Sequence, residues 1–203
     1  MENNLPKPVG PAEVMYSGHI IEVIHQKMQI GDKTKIFEQA RRSPGVRVMI
    51  VDKGKMLVTK EYRTEIKGWD YRLPGGKVLD SLEEYRAAVD SGKDMQGFAL
   101  EAAKKEVLEE TGLVVDEIRH FATSGTGGPT VMWDLYYFVA ETFHLSDDGQ
   151  MLEPGENITC EWMEFEDVRR LCLDGSFKED RTVANVLKFI LKAQTKQYKQ
   201  PDP

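Results

Sequence analysis

Residues 101–112 read EAAKKEVLEETG. Glu106, Glu109 and Glu110 stand three and four apart, so on a helix they occupy neighbouring positions of one face. Like charges at that spacing cost helix stability, and their crowding needs a cause. Leu100, Ala103 and Val107 add an apolar stripe beside them, which suits packing on a sheet. The stretch therefore predicts a helix over about 98–111 that stops at Gly112, with its carboxylates bordering the packed edge. Two readings of the carboxylates compete. One is a solvated face balanced by Lys104 and Lys105. The other is a platform for magnesium, which prefers carboxylate oxygens and keeps several waters.

The flanking chain sets the context. HIIEVIHQKMQI, a GDK turn and TKIFEQARR predict strands within 14–44. VRVMIVDKGKMLVTKEYR reads as a hairpin around a Lys-Gly turn, and GWDYRLPGGKV as a strand running into a glycine pair. Ser81 and Glu84 have the spacing of a capping box, so SLEEYRAAVDSG predicts a short helix ended by Gly92. Strands follow near 114–124, 134–143 and 158–165. Two C-terminal helices come next, the second carrying Val183, Val186, Leu187, Ile190 and Leu191 at helical spacing. Strands and helices without regular alternation give an α+β class, layered as an α/β/α sandwich with a mixed central sheet and an N-terminal antiparallel strand unit. Residues 1–13 and 196–203, polar and proline-bearing, are expected to be tails.

A chain of 203 residues buries a sizeable core, and its net charge of −7 argues against non-specific nucleic-acid binding. An acidic protein still binds phosphates where metal ions supply positive charge. Cys160 and Cys172 lack metal-type spacing, which suits two thiols in a reducing cytoplasm. No apolar run reaches membrane-spanning length, and the N-terminus lacks the apolar core of a signal peptide.

LPGGK ahead of the helix and EVLEETGL at its end together resemble the Nudix hydrolase signature, a glycine, five residues, a glutamate, seven residues, then R-E-U-x-E-E-x-G-U with U aliphatic. Glu106, Val107, Glu109, Glu110, Gly112 and Leu113 match its second half in order, and Gly76 fits the opening glycine. The resemblance covers most of residues 45–190 and implies a domain over about 45–195. It departs in three places. About 15 extra residues follow Gly76, an insertion over about 78–96. Gly97 stands where the family has its early glutamate, unless Asp80, Glu83 or Glu84 replaces it. Lys105 stands where the family has an arginine, keeping the charge without the bidentate fork.

The resemblance implies hydrolysis of a nucleoside diphosphate linked to another group. It implies Mg2+, or Mn2+, held by Glu106, Glu109, Glu110 and the carbonyl of Gly75. Pro129, 16 residues after Leu113, and EPGENITCEWMEF resemble the branch that cleaves ADP-ribose and other nucleotide sugars. Glu156, or Glu153 beside it, then takes the place of the loop glutamate that binds metal or acts as base, with Glu109 a further catalytic carboxylate. TKEYR resembles the segment whose arginine contacts substrate, which implies a clamp by Arg63. An adenine could stack on Phe37 or Tyr16. In that branch the N-terminal strand unit joins a second subunit, so a homodimer is implied, with no nucleic-acid or membrane partner. Two alternatives stay open. One is a Nudix hydrolase for a GDP-sugar, coenzyme A or a dinucleoside polyphosphate, although the upstream serine of the coenzyme A hydrolases is missing. The other is a catalytically weak nucleotide-binding or sensor domain, for which Gly97 and Lys105 speak.

Overall fold

The computed structural model describes residues 5–126 and 128–197. Two sheets organise them. The N-terminal sheet is built from β1 (Lys7–Pro8), β2 (Glu13–Ser17), β3 (Ile21–Ile30) and β4 (Lys33–Arg42), in the order β1-β3-β4 with β2 also on β3. The strands expected within 14–44 are all present. Lys7 and Pro8, in the segment read as a tail, pair with Gln29 and Met28. Residues 1–4 and 198–203 of the two expected tails lie outside the described residues.

The main sheet contains β5 (Gly45–Asp52), β6 (Lys55–Arg63), β7 (Gly68–Arg72), β8 (Leu113–Ser124), β10 (Leu135–Leu145) and β11 (Ile158–Glu164). Its order is β11-β6-β5-β10-β8, with β7 also on β6. β5 and β10 run parallel and the other pairs antiparallel, so the sheet is mixed. The β5–β6 turn is Lys53-Gly54, both at positive φ (46° and 86°), as a two-residue hairpin of matching twist requires. A two-residue strand, β9 (Val131–Met132), runs parallel to β4 and ties the loop after β8 back to the N-terminal sheet. Strands as short as β1 and β9 carry no readable alternation.

Helices cover both faces of the main sheet. α2 (Met95–Thr111) lies on one, against Val46, Val48, Ile50 and Phe138. α3 (Phe165–Leu173) and α4 (Asp180–Gln197) lie on the other, against Met49, Val51, Tyr137 and Val139. β5 is buried from Gly45 to Val51, as a central strand with a core on each side must be. Alternate residues of β5 serve opposite cores. The packed stripe of α2 is Ala99, Ala103 and Val107, with Leu100 only partly buried. Two alanines in the seam let the helix lie close to the sheet; Ala103 and Val107 pack as read in the sequence, and Ala99 takes the place of Leu100. Gly112 closes α2 in the left-handed region (φ 68°), its N–H donating to the Leu108 carbonyl.

The short helix expected within 81–92 is present. α1 (Leu82–Asp90) starts at Ser81, whose hydroxyl accepts from Glu84 N–H while the Glu84 carboxylate accepts from Ser81 N–H. It docks on the N-terminal sheet. Leu82 N–H donates to the His19 carbonyl at 3.0 Å. Arg86 donates to Ser17 Oγ and to Glu22, a β3 residue with no solvent exposure. Arg41 of β4 donates to the other Glu22 oxygen at 2.6 Å. A carboxylate so buried persists because it is paired and hydrogen-bonded.

Burial pushes the Glu22 pKa up, but the hydrogen bonds from Arg86 and Arg41 outweigh it and hold the group below its ordinary value. Its stabilisation is thus complete above the unfolded carboxylate range and is lost as pH falls through the depressed pKa. Glu22→Ala is expected to cost about 2–3 kcal/mol in urea denaturation, less than the ~3–5 kcal/mol of a fully buried pair because both arginines reach solvent. Hydrogen exchange across 82–90 should rise in that variant. A loss under ~0.5 kcal/mol would show that Glu22 does not hold the insertion.

Candidate active site

A polar cleft of about 280 Å³ opens between the glycine pair, the C-terminal half of α2 and the loop before β11. The glycine pair is pinned along β5. Val48 N–H donates to the Pro74 carbonyl and Val46 N–H to the Gly76 carbonyl. Both glycines are required by close approach. A Cβ on Gly75 (φ 148°) would stand 2.1 Å from the Val46 carbonyl oxygen, and one on Gly76 would stand 2.1 Å from Glu106 Oε1. Missing side chains thus bring the backbone against the carboxylates of α2.

The structure brings Glu106, Glu109, Glu110, Gly75, Glu153, Glu156 and Arg63 to this one cleft. Glu110 accepts a hydrogen bond from Gly75 N–H at 2.9 Å. Glu109 faces Lys105 Nζ at 3.4 Å, so Lys105 fills the role of a charge partner on the helix. Glu156 accepts from Glu153 N–H at 2.9 Å, which folds the acidic loop on itself. The guanidinium of Arg63 is already engaged by Glu61 and Glu65. Pro129 lines a neighbouring recess of about 390 Å³, and its carbonyl accepts from Gln39 Nε2. Tyr16 and Phe37 sit on the N-terminal sheet and line neither cavity.

Sequence reasoning missed several cleft residues. Arg47, 5% exposed, forms a bidentate pair with Glu179 at 2.8 and 3.1 Å. An arginine inside the apolar run VRVMIV was the available signal. Arg42 and Trp133 line both the cleft and the neighbouring recess. The Arg42 and Arg181 guanidiniums both pack on the Trp133 ring, 4.8 and 4.4 Å from its centroid. Among the described residues, neither Arg42 Nε nor Trp133 Nε1 finds a hydrogen-bond partner although both are buried. Burial first, and then Arg47, lower the Arg42 pKa.

The carboxylates fit a hard divalent cation. Burial, chiefly, pushes Glu106 up to about 7, with Lys105 opposing and Glu109 and Glu156 reinforcing. Burial pushes Glu110 up to about 8, against the Gly75 hydrogen bond. Among the described residues no hydrogen bond reaches the Glu106 carboxylate or the Gly75 carbonyl, whereas the carbonyls on either side of Gly75 are taken. An all-oxygen donor set of this kind suits Mg2+ or Mn2+ rather than a soft metal. No three His, Cys, Asp or Glu side chains among the described residues already stand in metal-holding geometry, because Glu110 and Glu109 are turned to protein partners.

The NUDIX domain family model matches residues 41–186. No curated protein matches the sequence. Among solved structures, one described as "Crystal structure of ADP compounds hydrolase" superposes with a TM-score of 0.69 at 14% identity, covering 97% of each chain. At that identity the likeness establishes the fold.

The raised carboxylate pKa values carry a sign. In chelator-treated protein the folded state holds protons that the unfolded chain releases from about pH 4.5 upward. Stability should therefore fall between about pH 4.5 and 8 from this pair. Glu110→Gln should flatten that slope and raise stability at pH 8 by an amount on the order of a few kcal/mol, read by thermal unfolding. Magnesium should raise the wild-type Tm at pH 8 and release protons in calorimetry. An unchanged slope in Glu110→Gln would mean that this carboxylate is not held as described.

Proposed function

The chain belongs to the NUDIX family, and from that premise we propose that it is a Mg2+-dependent hydrolase of the pyrophosphate bond in nucleoside diphosphate derivatives, ADP-ribose among them, which would give AMP and ribose 5-phosphate. One observation carries the reading. The α2 carboxylates, the glycine pair and Arg42, which has no carboxylate partner among the described residues, converge on a single polar cleft. The structural neighbour's description as an ADP compounds hydrolase supports the adenosine half.

Nudix hydrolases generally use divalent metal ions. In this chain Glu106, Glu109, Glu110 and the Gly75 carbonyl would hold Mg2+, or Mn2+. Bound there, the cation would neutralise phosphate oxygens and make water more acidic. Water adds to one phosphorus and the bridging P–O bond breaks. The chain supplies the proton acceptor. Glu156 is the first choice, since it lines the cleft with Glu106 and Glu110. Glu153 beside it and Glu109 on the helix are the alternatives.

Arg42 is the phosphate clamp in this reading, because Arg63 is committed to Glu61 and Glu65 and holds those carboxylates at the rim. Trp133 and Pro129 would bound the nucleoside half in the adjoining recess.

A homodimer forms part of the proposal. Val14, Met15, Tyr16 and Ile36 leave the N-terminal sheet with exposed apolar side chains, which a second copy would cover. A cytoplasmic location accords with two free thiols. No helix among the described residues is long and apolar enough to cross a membrane.

Phosphorus NMR of the protein with ADP-ribose and magnesium, beside GDP-mannose, coenzyme A and a dinucleoside polyphosphate, tests the reading. AMP and ribose 5-phosphate are expected, and a chelator should stop their formation. Glu110→Gln should lower kcat about 10³-fold, as loss of several kcal/mol of charge stabilisation implies. Turnover unchanged in that variant would remove Glu110 from the reaction. Arg42→Ala should raise KM by about tenfold, on the order of one lost charge-assisted contact, and Arg63→Ala should raise it less. The reverse order would return the clamp to Arg63.

A further inference from the structure

A cavity of about 640 Å³ lies beside the cleft and not within it. The insertion makes one wall and the first turns of α2 the other. Its apolar lining is Val78, which is buried, with Leu79, Phe98 and Ala102, which are partly buried, and the exposed charged residues Lys93, Asp94 and Glu101 stand around it. Lys77, Asp80 and Lys105 line this recess and the cleft alike, so the two adjoin. Lys77 and Asp80 stand 3.9 Å apart at that shared rim.

Gly97 lines the recess, and a Cβ built on it meets nothing within 4 Å. At the position where the family signature carries a glutamate, the chain thus puts neither charge nor bulk into the recess.

We propose that this insertion-built recess binds the second half of the substrate, and that this half carries a planar or apolar group of about nucleobase size. The proposal rests on the reading of the cleft as a diphosphate-cleaving site. The volume suits such a group, since small-molecule pockets run from roughly 300 to 1,000 Å³. The wall chemistry selects it. A bare sugar phosphate would press its hydroxyls against Phe98, Leu79 and Ala102, which offer them no side-chain partners, and unpaired polar groups are costly to bury. A planar ring would bury its faces there, while Lys77 and Lys105 at the shared rim meet the phosphates that join the halves. The departures from the signature then have one cause: the insertion supplies the walls and Gly97 keeps the space between them open.

The test compares two substrates that share the ADP half, ADP-ribose and P1,P2-di(adenosine) diphosphate, by phosphorus NMR with magnesium. Wild type should show the higher kcat/KM with the dinucleoside compound. Gly97→Phe, which fills the recess from an open helix position, should lower the ratio of dinucleoside to ADP-ribose kcat/KM at least tenfold, chiefly through KM. A wild-type preference for ADP-ribose, or an unchanged ratio in Gly97→Phe, would overturn the proposal. Cleavage of neither compound would defeat the diphosphatase reading itself. The recess is then decided by amide NMR with adenosine. Shifts centred on Gly97 and Phe98 that vanish in Gly97→Phe would uphold it, and their absence would reject it.

Discussion

The distance of closest approach between a backbone and a carboxylate governs this molecule. Gly76 lies so near Glu106 that no side chain fits between them, and Gly75 lies as near Val46. Everything about the cleft follows from that contact. β5 must hold the glycine pair rigidly, which it does through Val46 and Val48 N–H groups. α2 must lie close to the sheet, which Ala99 and Ala103 permit. Glu106 and Glu110 are then half-buried and partly stripped of water, and their raised pKa values express the same constraint electrostatically. An all-oxygen pocket of this kind is stable when empty of charge or when matched by a cation.

Much of this was legible in the sequence. The three glutamates, the glycine pair, the capping box of Ser81 and the Lys53-Gly54 turn each declare themselves through local rules, and local rules are what spacing encodes. Their mutual placement was readable only through the family resemblance. Arg42, Arg47 and Trp133 were not read at all, since their roles depend on contacts across large separations in the chain. Arg47 meets Glu179, 132 residues on. Arg63 shows the converse. It lies where the resemblance placed it, and the structure gives its guanidinium to neighbouring glutamates that the sequence also contains. Pattern located the residue, but competition among nearby charges decided its partners.

The insertion is neither a loose loop nor an independent unit. Its helix is fixed at one end by its own cap and along its side by the buried Glu22 between Arg41 and Arg86. A recess wall held in this way is preorganised, so a ligand entering it need not be charged with ordering the chain. The parallel pairing of β9 with β4 does the same for the opposite recess, fastening the loop around Pro129 to the N-terminal sheet. The N-terminal sheet therefore supports both flanks of the cleft while contributing only Arg42 to it directly.

That arrangement has a consequence for how the chain comes to its fold. The contacts that finish the cleft join residues 64, 90 and 132 positions apart, through Arg86–Glu22, Gln39–Pro129 and Arg47–Glu179. The helices and hairpins around them close over a few residues each. Loop-closure entropy rises with the length of chain enclosed, so the long closures become favourable only after local elements have formed. The cleft is thus the part of the molecule with the highest topological cost, and it is assembled from segments made far apart during synthesis. A nascent chain cannot complete this site until the segment around Glu179 has left the ribosome.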